Sequence, residues 1–140
     1  MLTDQLYDPD ERHLPLDESI RRIAPAFRRV SFDRGRGGAR LRENYERMVA
    51  RGTPEIILQS QRALFGQAVW VSVSDDDDPG GWIEFLVIDS VDVWIDYRSD
   101  ADRARFRPVV LKLAGLLGYE VAARESPHTE PGSAWSGDDS

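Results

Sequence analysis

The chain has no cysteine, so disulfide bonds and thiolate metal sites are excluded. It has only two histidines, His13 and His128, and neither belongs to a spacing that is typical of zinc sites or catalytic triads. No apolar run approaches the roughly 20 residues that a membrane-spanning helix needs, and residues 1–10 lack the features of a secretory signal. We therefore expect a cytoplasmic protein without a metal or membrane contact, and we do not expect cysteine or histidine chemistry.

Lysine is nearly absent, because Lys112 is the only one among 18 basic residues and arginine supplies the rest. The net charge of −7 is unevenly distributed along the chain. Residues 1–66 have a net charge of +2, whereas residues 67–140 have a net charge of −9. A protein with this asymmetry either neutralises the charges within its fold or presents an acidic face to a basic partner.

Hydrophobic periodicity predicts an α+β fold in which helices pack mainly on one face of a three- to four-stranded antiparallel sheet. The predicted order is α-α-α-β-β-β-α-β within a single domain over 1–124, and 125–140 is predicted to be a flexible tail of acidic residues, proline, serine and glycine. The predicted helices cover 16–28, 39–50 and 54–65, with a last amphipathic one between Ser99 and Gly118; the predicted strands cover 68–74, 82–88, 92–98 and 119–123. Pro25 is expected to kink or end the first helix near Ala24, and a short extended piece is expected at Val30 and Phe32.

Three segments of that sheet alternate apolar and polar side chains with a period of two, so one face is apolar and the other is mixed. The mixed face carries three of the four tryptophans beside several acidic residues. The side chains predicted to bind a partner on this face are Trp70, Trp82, Glu84, Asp92, Trp94 and Asp96.

The lengths of the connections between these strands determine which side chains lie opposite each other. A loop over 75–81 places Ser72 opposite Glu84, and a three-residue connection to the third strand then places Glu84 directly opposite Asp96. Two facing carboxylates repel unless they share a proton, bind a cation or meet an arginine. The pair is therefore either a candidate acid/base or ligand site, or it is neutralised by Arg98 or by an arginine from the first two helices.

An acidic face with indole rings favours a small protein-interaction or inhibitor-type domain that binds another protein with a basic surface. The alternative is a carboxylate-dependent enzyme in which Glu84 and Asp96 form the acid/base pair. Because no motif specifies a reaction, the binding hypothesis takes precedence.

A further alternative is a weak anion or nucleic-acid binder that uses Arg34, Arg36 and Arg40, which lie in a glycine-rich segment expected to form a loop before a helix. This segment lacks the P-loop lysine and the dinucleotide glycine spacing, so no nucleotide cofactor is predicted. The acidic second half of the chain opposes nucleic-acid binding. The four aspartates over 75–78 lack the ligand order of a calcium loop, so no metal site is predicted there.

Overall fold

A computed structural model describes residues 2–125 of the chain, and this part contains four helices and six strands. The strands are Leu2–Tyr7 (β1), Arg29–Asp33 (β2), Ala68–Ser74 (β3), Ile83–Ile88 (β4), Val93–Asp96 (β5) and Glu120–Glu125 (β6). The helices are Leu16–Ile23 (α1), Arg34–Ala50 (α2), Glu55–Arg62 (α3) and Asp100–Leu117 (α4). Of the predicted tail, Glu125 ends β6, and the rest lies outside the described residues.

The α+β class is confirmed, but the predicted order of elements is wrong. The unpredicted strand β1 precedes the first helix. The end of α1 near Ala24 and the extended piece at Val30 and Phe32 are confirmed, and that piece is the strand β2. The hydrophobic pattern does not mark β1, because two of its buried side chains are polar: Thr3 and Asp4 have no exposed surface. A strand is recognised in a sequence when apolar residues, which are expected to be buried, alternate with polar ones. In β1 the buried residues Thr3 and Asp4 are themselves polar and form hydrogen bonds, so this alternation is missing.

The predicted single sheet is wrong, because the strands form two antiparallel three-stranded sheets, with the strand orders β2-β3-β4 and β5-β1-β6. The predicted register between β3 and β4 is confirmed, because Ser72 pairs with Glu84. The predicted pairing of β4 with β5 is wrong, because β5 pairs with β1, where Asp96 is the partner of Thr3. The unpredicted strand β1 therefore changes which side chains can meet across the central strands.

The connection between β4 and β5 explains why these two strands do not form a hairpin. The backbone N–H of Asp89 donates to the carbonyl of Gln67 (2.8 Å), and that of Ser90 donates to the carbonyl of Leu14 (3.0 Å). The Asp89 carboxylate also accepts a hydrogen bond from the backbone N–H of Leu16 (2.7 Å). These contacts tie the connection to other segments, and β5 takes its hydrogen-bond partners from β1.

The two sheets share one hydrophobic core with α1 and α4. The apolar face predicted for the central strands is buried, and its side chains are Val69, Val71, Val73, Ile83, Phe85, Val87, Val93 and Ile95. The helix α4 contributes Phe106, Val110 and Leu113 to the same core. Because side chains alternate along a strand, the polar side chains of these strands point away from this core.

The predicted loop at 34–38 is wrong, because α2 already covers this segment. Asp33 caps the helix, and its Oδ1 accepts a hydrogen bond from the backbone N–H of Arg36 at 2.9 Å. Gly37 lets α2 approach β3 closely, since a Cβ at this position would lie 2.8 Å from the Cα of Val69. Glycines are common in loops, and this composition suggests one here. In the structure, Gly37 instead permits tight packing of a helix on a sheet.

The predicted ends of the last helix are confirmed. Oγ of Ser99 accepts a hydrogen bond from the backbone N–H of Asp102 (3.1 Å), and Gly118 ends the helix with a left-handed φ of +74°. Within residues 2–125, no helix is both long enough and apolar enough to cross a membrane.

Candidate functional site

A cleft of about 470 Å³ lies where residues of the two sheets meet, beside β4 and β5. Side chains of α2, β3 and the start of α4 also line it. Five of the six side chains predicted to bind a partner lie along this cleft: Trp70, Trp82, Glu84, Trp94 and Asp96. The fold therefore brings these side chains together although their strands belong to different sheets.

Asp92 is the predicted partner-binding residue that does not line the cleft. Its Oδ2 accepts a hydrogen bond from the side-chain amide of Gln5 (2.5 Å), and its Oδ1 contacts the imidazole of His13. His13 also packs edge to face against Tyr119, with the ring centroids 5.4 Å apart. Asp92 thus links the segment before α1 to the end of the connection that leads into β5.

The predicted direct opposition of Glu84 and Asp96 is wrong, because their strands belong to different sheets. Oε2 of Glu84 accepts a hydrogen bond from Oγ of Ser72 (3.0 Å) and lies 3.7 Å from Nη1 of Arg36. Oδ1 of Asp96 accepts a hydrogen bond from Oγ1 of Thr3 (2.6 Å). Each carboxylate thus has its own polar partner, and the two do not form the predicted facing pair.

Arginine side chains stack on two of the three tryptophans. The guanidinium carbons of Arg36 and Arg40 lie 4.5 and 4.9 Å from the ring centre of Trp70. The guanidinium carbon of Arg29 lies 4.5 Å from the ring centre of Trp82. Each such contact contributes about 0.5–1 kcal/mol at an exposed position, so these arginines help to hold β2 and α2 against the indole rings.

The three arginines predicted to bind an anion do not form one cluster, because Arg34 lies apart from Arg36 and Arg40. Arg34 lies 3.5 Å from the carboxylate of Asp17, whereas Arg36 and Arg40 both stack on one indole. Of the three, Arg40 is the one that lines the cleft. The N-terminus of α2 already has the Asp33 carboxylate as its acceptor, which occupies the place that a phosphate would take.

The four aspartates between β3 and β4 are neutralised within the fold. Each lies 2.6 to 3.6 Å from a basic side chain, in the pairs Asp75–Lys112, Asp76–Arg29, Asp77–Arg28 and Asp78–Arg105. The backbone N–H of Gly80, and then the Arg105 guanidinium, lower the pKa of Asp78. Among residues 2–125, no group of three or more histidine and acidic side chains is arranged to hold a metal ion.

A buried carboxylate that sequence reasoning missed supports one side of the cleft. Asp4 accepts hydrogen bonds from the hydroxyl of Tyr97 (2.8 Å) and from Nη2 of Arg103 (2.9 Å). Burial, followed by the interaction with Asp4, raises the pKa of Tyr97 well above its ordinary value, so this hydroxyl remains a donor. Because Tyr97 also lines the cleft, Asp4 positions a cleft residue from within the core.

Asn44 and Arg47 of α2 also line the cleft, and sequence reasoning missed both. Their spacing from Arg40, four and seven residues, is the signal that places them on the same side of a helix. Two polar atoms of this side of the cleft, Nε1 of Trp70 and Oδ1 of Asn44, are buried without a hydrogen-bond partner among the described residues. Such atoms are rare, and each one requires an explanation.

Comparisons with protein-family models, with curated proteins and with solved structures find no match to this chain. Any function proposed for this chain therefore rests on the chemistry of the cleft alone.

Proposed function

We propose that this protein is a small interaction domain whose cleft binds a basic segment of another protein. The observation that carries this proposal is the gathering of three indole rings and the carboxylates of Glu84 and Asp96 along one cleft. Tryptophan often dominates the binding energy at interfaces, because one ring buries a large area. The volume of about 470 Å³ lies within the roughly 300–1,000 Å³ of ligand sites.

The carboxylates of the cleft favour a cationic ligand. Glu84 keeps 44% of its side chain exposed and Asp102 keeps 28%, so both remain accessible beside their present partners. A carboxylate offers about four acceptor positions, and an incoming guanidinium or ammonium group can therefore share it with the existing donors. Exposed charges of this kind mainly raise the association rate and make binding sensitive to salt.

The proposal is tested by selecting peptides from a displayed random library against the full chain. We expect the selected peptides to be enriched in arginine or lysine next to an aromatic residue. Asp96→Asn removes a cleft charge but keeps one acceptor oxygen for Oγ1 of Thr3, so we expect it to weaken binding of the selected peptides about fivefold.

Asp77→Asn is the matched control, because it also removes an exposed aspartate charge but lies outside the cleft. It should change the affinity less than about twofold, since surface pairs contribute little. Selection of peptides without basic residues, or equal losses in the two variants, would contradict the proposed function.

A further inference from the structure

Positive charge without a carboxylate partner is concentrated on one helix. Of the basic side chains among residues 2–125, most lie within 4 Å of an acidic side chain. Within the same residues, four arginines that lack such a partner lie on α2 or at its C-terminal end: Arg40, Arg42, Arg47 and Arg51. Within residues 2–125, arginine therefore outnumbers acid on α2, whose acidic side chains are Glu43 and Glu46.

Two of these four arginines, Arg40 and Arg47, line the cleft. They are seven residues apart on α2, and Asn44 lies between them, so all three lie on one side of the helix. The basic side of the cleft thus faces a ligand space that is also lined by Glu84 and Asp96. A ligand with charge of one sign only would leave one of these two sides without a counter-charge.

The present contact of Arg40 is weaker than one that a ligand could provide. Its guanidinium carbon lies 4.9 Å from the ring centre of Trp70, which is a cation–π contact without a hydrogen bond to a charged group. A carboxylate would instead accept a pair of charge-assisted hydrogen bonds from the same guanidinium, which is the stronger interaction. The indole on which Arg40 stacks is itself incompletely satisfied, because the N–H of Trp70 has no hydrogen-bond acceptor among the described residues.

We propose that Arg40 and Arg47 bind a carboxylate of the partner segment, so that the cleft selects a segment in which a basic and an acidic side chain lie close together. This inference rests on the proposed function, because it concerns the same cleft. It adds a second contact to the one already proposed. An aspartate or glutamate side chain of the partner segment binds the arginines of α2, while the basic side chain of that segment binds the carboxylates of β4 and β5.

The test uses short peptides blocked at both ends and the full chain in calorimetric or NMR titrations. The first peptide has arginine next to tyrosine, and one to three glycines separate this pair from a glutamate; a second has glutamine in place of the glutamate, and a third has glutamine in place of the arginine. We expect the glutamate-to-glutamine change to weaken binding about three- to tenfold in the wild type. The same change should have less than about a twofold effect in the Arg40→Gln/Arg47→Gln variant.

Arg42→Gln is the matched control. This arginine of α2 also lacks a carboxylate partner within residues 2–125, but it does not line the cleft. It should retain the full preference for glutamate over glutamine. The inference fails alone if the arginine peptides bind the wild type with the same affinity whether they carry glutamate or glutamine, and if Asp96→Asn still weakens this binding. The inference and the proposed function fail together if none of the peptides binds, and thermal unfolding of each variant verifies that it is folded.

Discussion

At the residue scale, the cleft depends on a carboxylate that lies outside it. Asp4 is fully buried and joins Tyr97, which lines the cleft, to Arg103 of α4. Removal of one partner from a buried charged pair leaves the other charge uncompensated and costs about 3–5 kcal/mol. Because Arg103 keeps 27% of its side chain exposed, we expect Asp4→Ala to lower the free energy of unfolding by about 3 kcal/mol, as measured by urea denaturation.

Asp17→Ala is the control for this prediction. Asp17 also faces an arginine, Arg34 at 3.5 Å, but its side chain is 93% exposed. Its removal should change the free energy of unfolding by less than about 0.5 kcal/mol. Similar losses of unfolding free energy in the two variants would show that burial of Asp4 with Tyr97 and Arg103 does not stabilise the protein more than an exposed ion pair does.

The sequence predicts some of the single residues that line the cleft, but it does not predict their contacts. Alternation with a period of two places Trp70 and Glu84 on the polar sides of their strands, and both line the cleft. The contacts of these residues could not be predicted in the same way, because Arg36 reaches both from a segment whose composition is typical of a loop. The role of Asp4 was also beyond prediction, since a buried acid in a strand has no periodic signal.

At the scale of elements, two helical glycines have opposite roles. A Cβ on Gly37 would lie 2.8 Å from the Cα of Val69 and 2.9 Å from the carbonyl oxygen of Ala68, whereas a Cβ on Gly115 of α4 would meet nothing within 4 Å. Backbone atoms cannot rotate away as a side chain can. We therefore expect Gly37→Ala to destabilise the protein by about 1–3 kcal/mol, despite the better helix propensity of alanine.

Gly115→Ala is the matched control, because the same substitution is made in a helix where there is free space. We expect it to stabilise the protein by about 0.5–1 kcal/mol, and thermal or urea unfolding measures both variants. Equal stabilisation by the two substitutions would show that α2 does not need its close approach to β3.

Elements with a strong local signal were predicted, and those that depend on distant partners were not. The amphipathic stripe of α4, its Ser99 cap and its end at Gly118 are all local properties of the sequence. The pairing of β5 with β1 joins residues more than 85 positions apart. Once β1 is not recognised, the nearest strand in the sequence, β4, becomes the apparent partner of β5, and the register between them is then assigned wrongly.

At the scale of the whole molecule, the charge asymmetry of the sequence is partly cancelled by folding. Arginines from the first half of the chain pair with acids from the second half, as Arg28 does with Asp77 and Arg36 with Glu84. Composition predicts that such neutralisation is possible, but only the fold shows which charges remain. Those that remain on α2 beside the carboxylates of the cleft make the cleft bipolar.

The most direct test of the central claim follows the indole N–H resonances of the ¹⁵N-labelled full chain during titration with the best basic peptide from the library selection. We expect saturable shifts of the indole resonances of Trp82 and Trp94, because both line the cleft, and no shift of the backbone amide resonance of Gly66, which lies in the turn after α3. Binding of the peptide without shifts of these indole resonances would contradict the proposal that the cleft is the binding site.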